Sequence, residues 1–345
     1  MQSFEIGELN EFAACFNLIN LMQASYECER GVRWKMQPQR FANNRLTNCN
    51  KLLRDIENGT YKPMAVKSFP IYERGKTRVV KPVTFYDRVA QRCFCDHVLV
   101  DSILKMVSVE CSAVLPGRGL SYAFDRVRSH LEAAPMSGWV AKFDFSAYFA
   151  SIDQDILLDM MRWPIRDERL FRFLETVITA DSPGLELGSH ISQLCAAAYP
   201  TKLDSVVSRA PGVVGYHRYM DDGIIICRDR ESALAALELS RKISRDLKLT
   251  INPKKTYANR IDQPFKFCKM RFLKTSGEVR MRVPKKQTRT ACRHARNVKR
   301  KAARDDRIDL WPVKASLLGY VNHGDADLSR LVSSIFPIDS KPIGA

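Results

Sequence analysis

Two strand-like segments that each end on acids constrain this chain more than any other feature. Val140-Ala141-Lys142-Phe143 runs into Asp144, and Tyr219-Met220-Asp221-Asp222 is flanked by the apolar stretches 213–219 and 223–227. A lone aspartate between Phe143 and Phe145 costs several kcal/mol to bury without a partner. Adjacent aspartates at a tight turn repel one another unless a cation neutralises them. Taken alone, Asp-Asp-Gly reads equally well as a polar hairpin tip. Asp144 tips the reading toward chemistry. Three carboxylates, Asp144, Asp221 and Asp222, make the oxygen-donor set for two Mg²⁺ held about 3.5–4 Å apart in phosphoryl transfer.

Charge supports a polyanionic partner. The chain has 345 residues, and its 55 Lys and Arg against 38 Asp and Glu leave a net +17. Such a surplus favours nucleic acid, because neutralised phosphates release condensed counterions. From Arg280 to Arg304 there are eleven Lys or Arg and no acid. Arg289, Arg293, Arg296 and Arg300 are spaced four, three and four, which sets them on one helix face as a track for a phosphate backbone. No apolar run approaches the ~18 residues that span a bilayer. The segment MQSFEIGELNEF has acids where a secretory leader has bases. A soluble, cytoplasmic protein with no membrane partner is expected. Ten cysteines without a CxxC pair read as reduced core thiols rather than a metal site.

Periodicity places helices over 9–35, 39–57, 86–108, 167–179, 190–208 and 231–247, with another beginning at Asp153. A hairpin is expected over 66–72 and 77–83 around the turn 73–76. Strands are expected at 140–145, 213–219 and 223–227, and the basic tail reads as helical. Interleaved strands and helices with acids at strand ends are an α+β enzyme pattern.

Read in order, the motifs resemble the reverse transcriptase family from roughly residue 35 to 325. The matching pieces begin with Gly75-Lys76-Thr77-Arg78, Asp87-Arg88-Val89-Ala90-Gln91, Gly117-Arg118-Gly119 and Ala123-Phe124-Asp125-Arg126. Then come Phe143-Asp144-Phe145-Ser146, Gly188-Ser189-His190-Ile191-Ser192-Gln193 and Tyr219-Met220-Asp221-Asp222. Leu249-Thr250-Ile251-Asn252-Pro253-Lys254-Lys255-Thr256 and Phe267-Cys268-Lys269-Met270-Arg271-Phe272 complete the series. The resemblance implies a right-hand polymerase fold: fingers with a helical extension at 1–136, a palm with a small antiparallel sheet at 137–278, and a helical thumb at 279–345. It also implies an RNA-directed DNA polymerase that extends a primer 3′-hydroxyl with dNTPs.

The resemblance gives roles residue by residue. Asp144, Asp221, Asp222 and the Phe145 carbonyl would hold two Mg²⁺, Asp222 as ligand or as a nearby support. Lys76 and Arg78 match residues that grip the incoming triphosphate, although a basic hairpin tip looks the same in sequence. Phe149 matches the aromatic gate that rejects a 2′-hydroxyl, and reads equally as a core phenylalanine. Gln193 matches a residue that touches nucleotide or template. Lys255 matches a proton donor to pyrophosphate, and reads slightly better as a solvated helix-end lysine. The arginine stripe would lie along the RNA–DNA hybrid, which is read through shape, phosphates and 2′-hydroxyls.

Gly188-x-x-x-Ser192-Gln193 is similar to the loop of bacterial enzymes from diversity-generating retroelements and related antiviral defence systems. The chain lacks the Asn-Ala-x-x-His and Val-Thr-Gly signatures of retron enzymes and the length of intron maturases. A structured non-coding template RNA is the implied partner, with a small basic accessory protein or a second protein subunit beside it. Lys269 departs from the glycine usual in the primer-grip turn, which puts the backbone there in question. A polymerase-fold RNA-binding scaffold without activity is the alternative; the intact acids argue against it.

Overall fold

A computed structural model describes residues 10–73, 76–180, 183–305, 307–321 and 332–336. In chain order the first elements are α1 (Glu11–Cys15), α2 (Leu18–Glu29), α3 (Met36–Asn43), α4 (Arg45–Glu57), β1 (Phe69–Glu73) and β2 (Lys76–Val80). A continuous helical rod follows: α5 (Phe85–Phe94), a π-helical turn at Cys95–Leu99, and α6 (Val100–Met106). Next come α7 (Leu120–Ala133), β3 (Trp139–Asp144), α8 (Tyr148–Ser151), α9 (Gln154–Arg162), α10 (Glu168–Ile178), α11 (His190–Ala198) and α12 (Thr201–Val207). The remainder is β4 (Val213–Tyr219), β5 (Asp222–Cys227), α13 (Arg230–Asp246), β6 (Tyr257–Arg260), β7 (Phe265–Phe267), β8 (Met270–Lys274), β9 (Val279–Arg282), α14 (Lys285–Ala302) and α15 (Trp311–Val321).

Three of the expected helices are broken, each for a local reason. The stretch 9–35 splits because Asn17 turns its side chain back to accept from the Asn20 amide, capping a new helix. Residues 39–57 divide at Asn44 into α3 and α4. Pro200 separates α11 from α12, since its ring cannot continue the hydrogen-bond ladder. Where the expected starts hold, side-chain caps explain them: Asp153 accepts from the Ile156 amide, Asp167 from Leu170 and Asp229 from Ser232.

A four-stranded antiparallel sheet in the order β4-β5-β3-β6 carries the acids. Asp144 pairs with Asp222 in the β3–β5 register, and Lys142 pairs with Ile224. The sheet is buried on both sides. Ala141, Phe143, Tyr216 and Ile225 join a core that runs from the N-terminal helices through α13. Val140, Ile224 and Ile226 join a second core with α7 and the three-stranded sheet β7-β8-β9. Alternation along a strand therefore sorts the even-numbered acids, Asp144 and Asp222, onto the second face. Gly223 is demanded by this packing: a Cβ there would lie 2.1 Å from the Phe143 ring.

The basic tail has a small core of its own. Cys292 and Ala295 of α14 pack with Leu317, Val332, Ile335 and Phe336. All ten cysteines are free, and eight are buried, as expected of core thiols. No helix among the described residues is long and apolar enough to cross a membrane.

Candidate active site

Two lysines neutralise two of the acids. Lys255 Nζ lies 2.6 Å from Asp144 Oδ1 and 2.7 Å from Oδ2. It sits in the turn after Ile251 rather than at a helix end; its side chain is exposed, as a solvated lysine would be, and it pairs with a strand-end acid. Lys142, on the same strand face as Asp144, places Nζ 3.0 Å from Asp222 Oδ1. That contact lacks hydrogen-bond alignment, and Oδ1 stays buried without another partner. Asp222 Oδ2 accepts from the Cys268 amide at 3.1 Å. Burial pushes the Asp222 carboxyl above its ordinary range, against the opposing pull of Lys142 and the Cys268 amide.

Backbone hydrogen bonds fix the arrangement. The Asn252 amide donates to the Asp144 carbonyl at 2.8 Å, and the Phe145 amide to the Asp221 carbonyl at 3.3 Å. The hairpin joins β4 to β5 through Met220 and Asp221, with Met220 at φ 54°, a left-handed conformation unusual for a side chain of its size. Asp144, Asp221, Asp222 and Lys255 are thus gathered at one end of the sheet. Among the described residues, no three Asp, Glu, His or Cys side chains converge as a ready-made metal cage. The donors nevertheless suit a hard divalent cation: carboxylate oxygens, one of them buried without a hydrogen bond, balanced here by lysine ammoniums.

The other expected residues fall on separate elements. Phe149 follows on α8; it is partly buried, edge-on to Tyr148, and its carbonyl accepts from Leu185. Gln193 lies in the first turn of α11, whose cap Ser189 donates to Gln91 at 3.0 Å. Gly188 precedes that cap at φ 124°, and a Cβ would meet the Lys81 carbonyl at 2.9 Å. Lys76 and Arg78 fall on β2, in register with Glu73 and Ile71; their side chains lie outside the described residues. Arg289, Arg293, Arg296 and Arg300 line one open depression along α14, all exposed, as their spacing requires. The turn at Cys268 and Lys269, the one matched to a primer grip in sequence, takes φ 44° and 69°, a two-residue hairpin turn built without glycine.

Sequence reasoning missed two parts of the site. Lys142 could have been found as the residue two before Asp144, hence on its face. The second is a buried pair beneath the hairpin, Arg218 with Asp204, both fully enclosed. Its sequence trace is an arginine next to His217 in a strand that otherwise carries Val, Gly and Tyr.

The family profile described as reverse transcriptase (RNA-dependent DNA polymerase) matches residues 62–272, more than half of the chain. The chain belongs to that family. The right-hand polymerase fold follows, with mixed helices and small antiparallel sheets. No curated protein sequence matches. Among solved structures, a match is apo telomerase from Candida Tropicalis, truncated from the C-terminal domain, at 11% identity and a TM-score of 0.47. The match covers 68% of this chain and 60% of that one.

Proposed function

We propose that this protein copies a structured RNA into cDNA by two-metal nucleotidyl transfer, within a diversity-generating retroelement or an antiviral defence system. The observation that carries the reading is the Asp144–Asp222 register pair with Asp221 on the adjoining β4–β5 turn, each strand acid charge-balanced by a lysine. An abandoned site has no reason to retain buried charge. Asp144, Asp221 and the Phe145 carbonyl would hold Mg²⁺, with Asp222 beside them. When bound, the metals would activate the primer hydroxyl and neutralise the departing pyrophosphate.

Lys255 holds a proton-bearing ammonium against Asp144 and would serve as the proton donor to the departing pyrophosphate. Lys76, Arg78 and Gln193 would position the dNTP, and Phe149 would pack under its sugar. The fingers (1–136), palm (137–278) and thumb (279–345) follow the same reading, with the α14 arginines on the hybrid. The Gly188–Ser192–Gln193 loop supports the retroelement or defence setting, in which a small basic accessory protein or second subunit would join the RNA.

Purified protein should incorporate labelled dNTP on a DNA-primed RNA template in Mg²⁺. Sequencing the RNA and cDNA that co-purify should return one structured RNA and its complement. Absence of incorporation on any RNA template would sink the polymerase reading, and an unselective mixture of templates would sink the dedicated RNA.

A further inference from the structure

The strained residue of the acid-bearing hairpin is tied down from the face opposite the acids. Met220 carries its positive φ at the first central position of the turn, where glycine is the usual occupant. Its carbonyl accepts from Arg218 Nη1 at 2.9 Å. The rest of that guanidinium is spoken for. Nε and Nη2 donate to the two oxygens of Asp204, each at 2.7 Å, and Nη2 also reaches the Ala197 carbonyl at 2.7 Å. Asp204 Oδ1 accepts in addition from the Tyr216 hydroxyl at 2.7 Å. The Arg218 amide donates to the Glu110 carbonyl, so main chain and side chain are both fixed.

We infer that Arg218 is a positioning residue for nucleotidyl transfer: its guanidinium, locked by Asp204, holds the Met220 carbonyl and so sets the aim of Asp221 and Asp222. The inference rests on the polymerase reading above. Arg218 alternates with His217 and Tyr219 along β4, and so lies on the Phe143 face of the sheet, away from Asp144 and Asp222. It therefore supports the turn from beneath without touching substrate. Ala197 belongs to α11, the helix that carries Gln193, so one guanidinium ties the hairpin to the loop expected to meet the nucleotide.

Fold stability alone does not call for this pair. A buried Arg–carboxylate pair can commonly be replaced by apolar groups with little loss, whereas removing one partner leaves a costly buried charge. What apolar groups cannot supply is a planar fork that reaches four oxygen acceptors in fixed directions. A lysine at 218 keeps the charge and loses the fork.

The test uses the full chain with a DNA-primed RNA template. The double variant R218M/D204N removes both charges together and keeps an acceptor for Tyr216. It should fold with a melting temperature near wild type and bind the RNA–DNA hybrid with unchanged affinity. Its kcat for dNTP incorporation should fall on the order of 100-fold, the scale expected when reacting groups are misaimed by about 1 Å. Arg218→Lys should show the same split, lowered kcat with the hybrid KM unchanged. A folded double variant or Arg218→Lys protein with kcat within about threefold of wild type, a factor worth less than 1 kcal/mol, overturns the inference. So does failure of both variants to fold, which would make the pair a purely structural requirement. If wild-type protein itself incorporates nothing, the polymerase reading fails rather than the role of Arg218.

Discussion

The acid end of the four-stranded sheet and the arginine stripe of α14 handle charge in opposite ways. At the sheet end, each strand acid has a lysine within about hydrogen-bond distance, and the residues beneath are enclosed. Along α14, four arginines of one sign stand exposed on a helix whose Cys292 and Ala295, beside the stripe, join a small core. Buried, paired charge fixes geometry, because moving either member exposes an uncompensated ion. Exposed, unmixed charge attracts a polyanion and makes little demand on its position. On the proposed function, the difference would separate a site built for chemistry from a surface built for sequence-blind grip.

Asp221→Asn should break the first region without harming the second. Incorporation should fall by at least about 100-fold, near 3 kcal/mol of barrier, because a metal ligand and its charge are lost with little change of shape. Hybrid binding in the same preparation should survive; retention of more than about a tenth of the activity would contradict the assignment.

The reciprocal experiment replaces Arg289, Arg293, Arg296 and Arg300 together with Gln. If all four contact phosphates, the slope of log K against log salt should flatten by about three to four units, slightly under one per contact. Affinity should drop alike for unrelated sequences, since phosphates carry no base information. A salt slope equal to wild type would show that the stripe faces solvent or an acidic protein.

Acid should loosen the sheet end before it affects α14. His217 is enclosed, with Nδ1 3.2 Å from Glu110 Oε2 and Nε2 2.8 Å from Ser112. Burial holds its pKa below 6.5, outweighing the pull of Glu110 in the other direction. The unfolded chain then binds a proton that the folded chain refuses, so stability falls as pH drops below about 6.5, by at most ~1.4 kcal/mol per pH unit. His190, lowered by burial as well, adds the same sign. Burial alone would raise Glu110, but hydrogen bonds from His130, His217 and Arg126 prevail and hold it well below the ordinary carboxylate value of 4.5. Its contribution is present above that value and is lost progressively at lower pH. Melting curves from pH 7.5 to about 2 should show both phases, and His217→Gln should flatten the upper one.

The smallest effect belongs to the turn beside Asp222. Cys268 and Lys269 both sit at positive φ, where a side chain is penalised by about 1–2 kcal/mol per residue. Lys269→Gly should therefore stabilise the chain by roughly 0.5–1 kcal/mol, net of glycine's greater freedom when unfolded. The denaturant midpoint should move up at constant m. A midpoint that moves down would show that the lysine makes contacts worth more than the strain.

Much of this was written locally in the chain. The three acids announce themselves through apolar strands that end on charge. The stripe announces itself through four-three-four spacing, and the helix starts at Asp153, Asp167 and Asp229 through caps that reach only two or three residues. Such signals survive in sequence because their partners are near neighbours.

The tertiary structure alone decided what balances the charge. Lys255 meets Asp144 across 111 positions, Cys268 reaches Asp222 across 46, and Arg218 meets Asp204 only once α12 packs beneath β4. It also decided that Met220 could hold a conformation costly in isolation, since the carbonyl that needs a donor finds one on the buried face. Periodicity reports which face a residue occupies; strand register and helix packing choose the partner waiting there. Electrostatic pairing depends on angstrom distances between segments remote in sequence, and those distances exist only after the cores have closed.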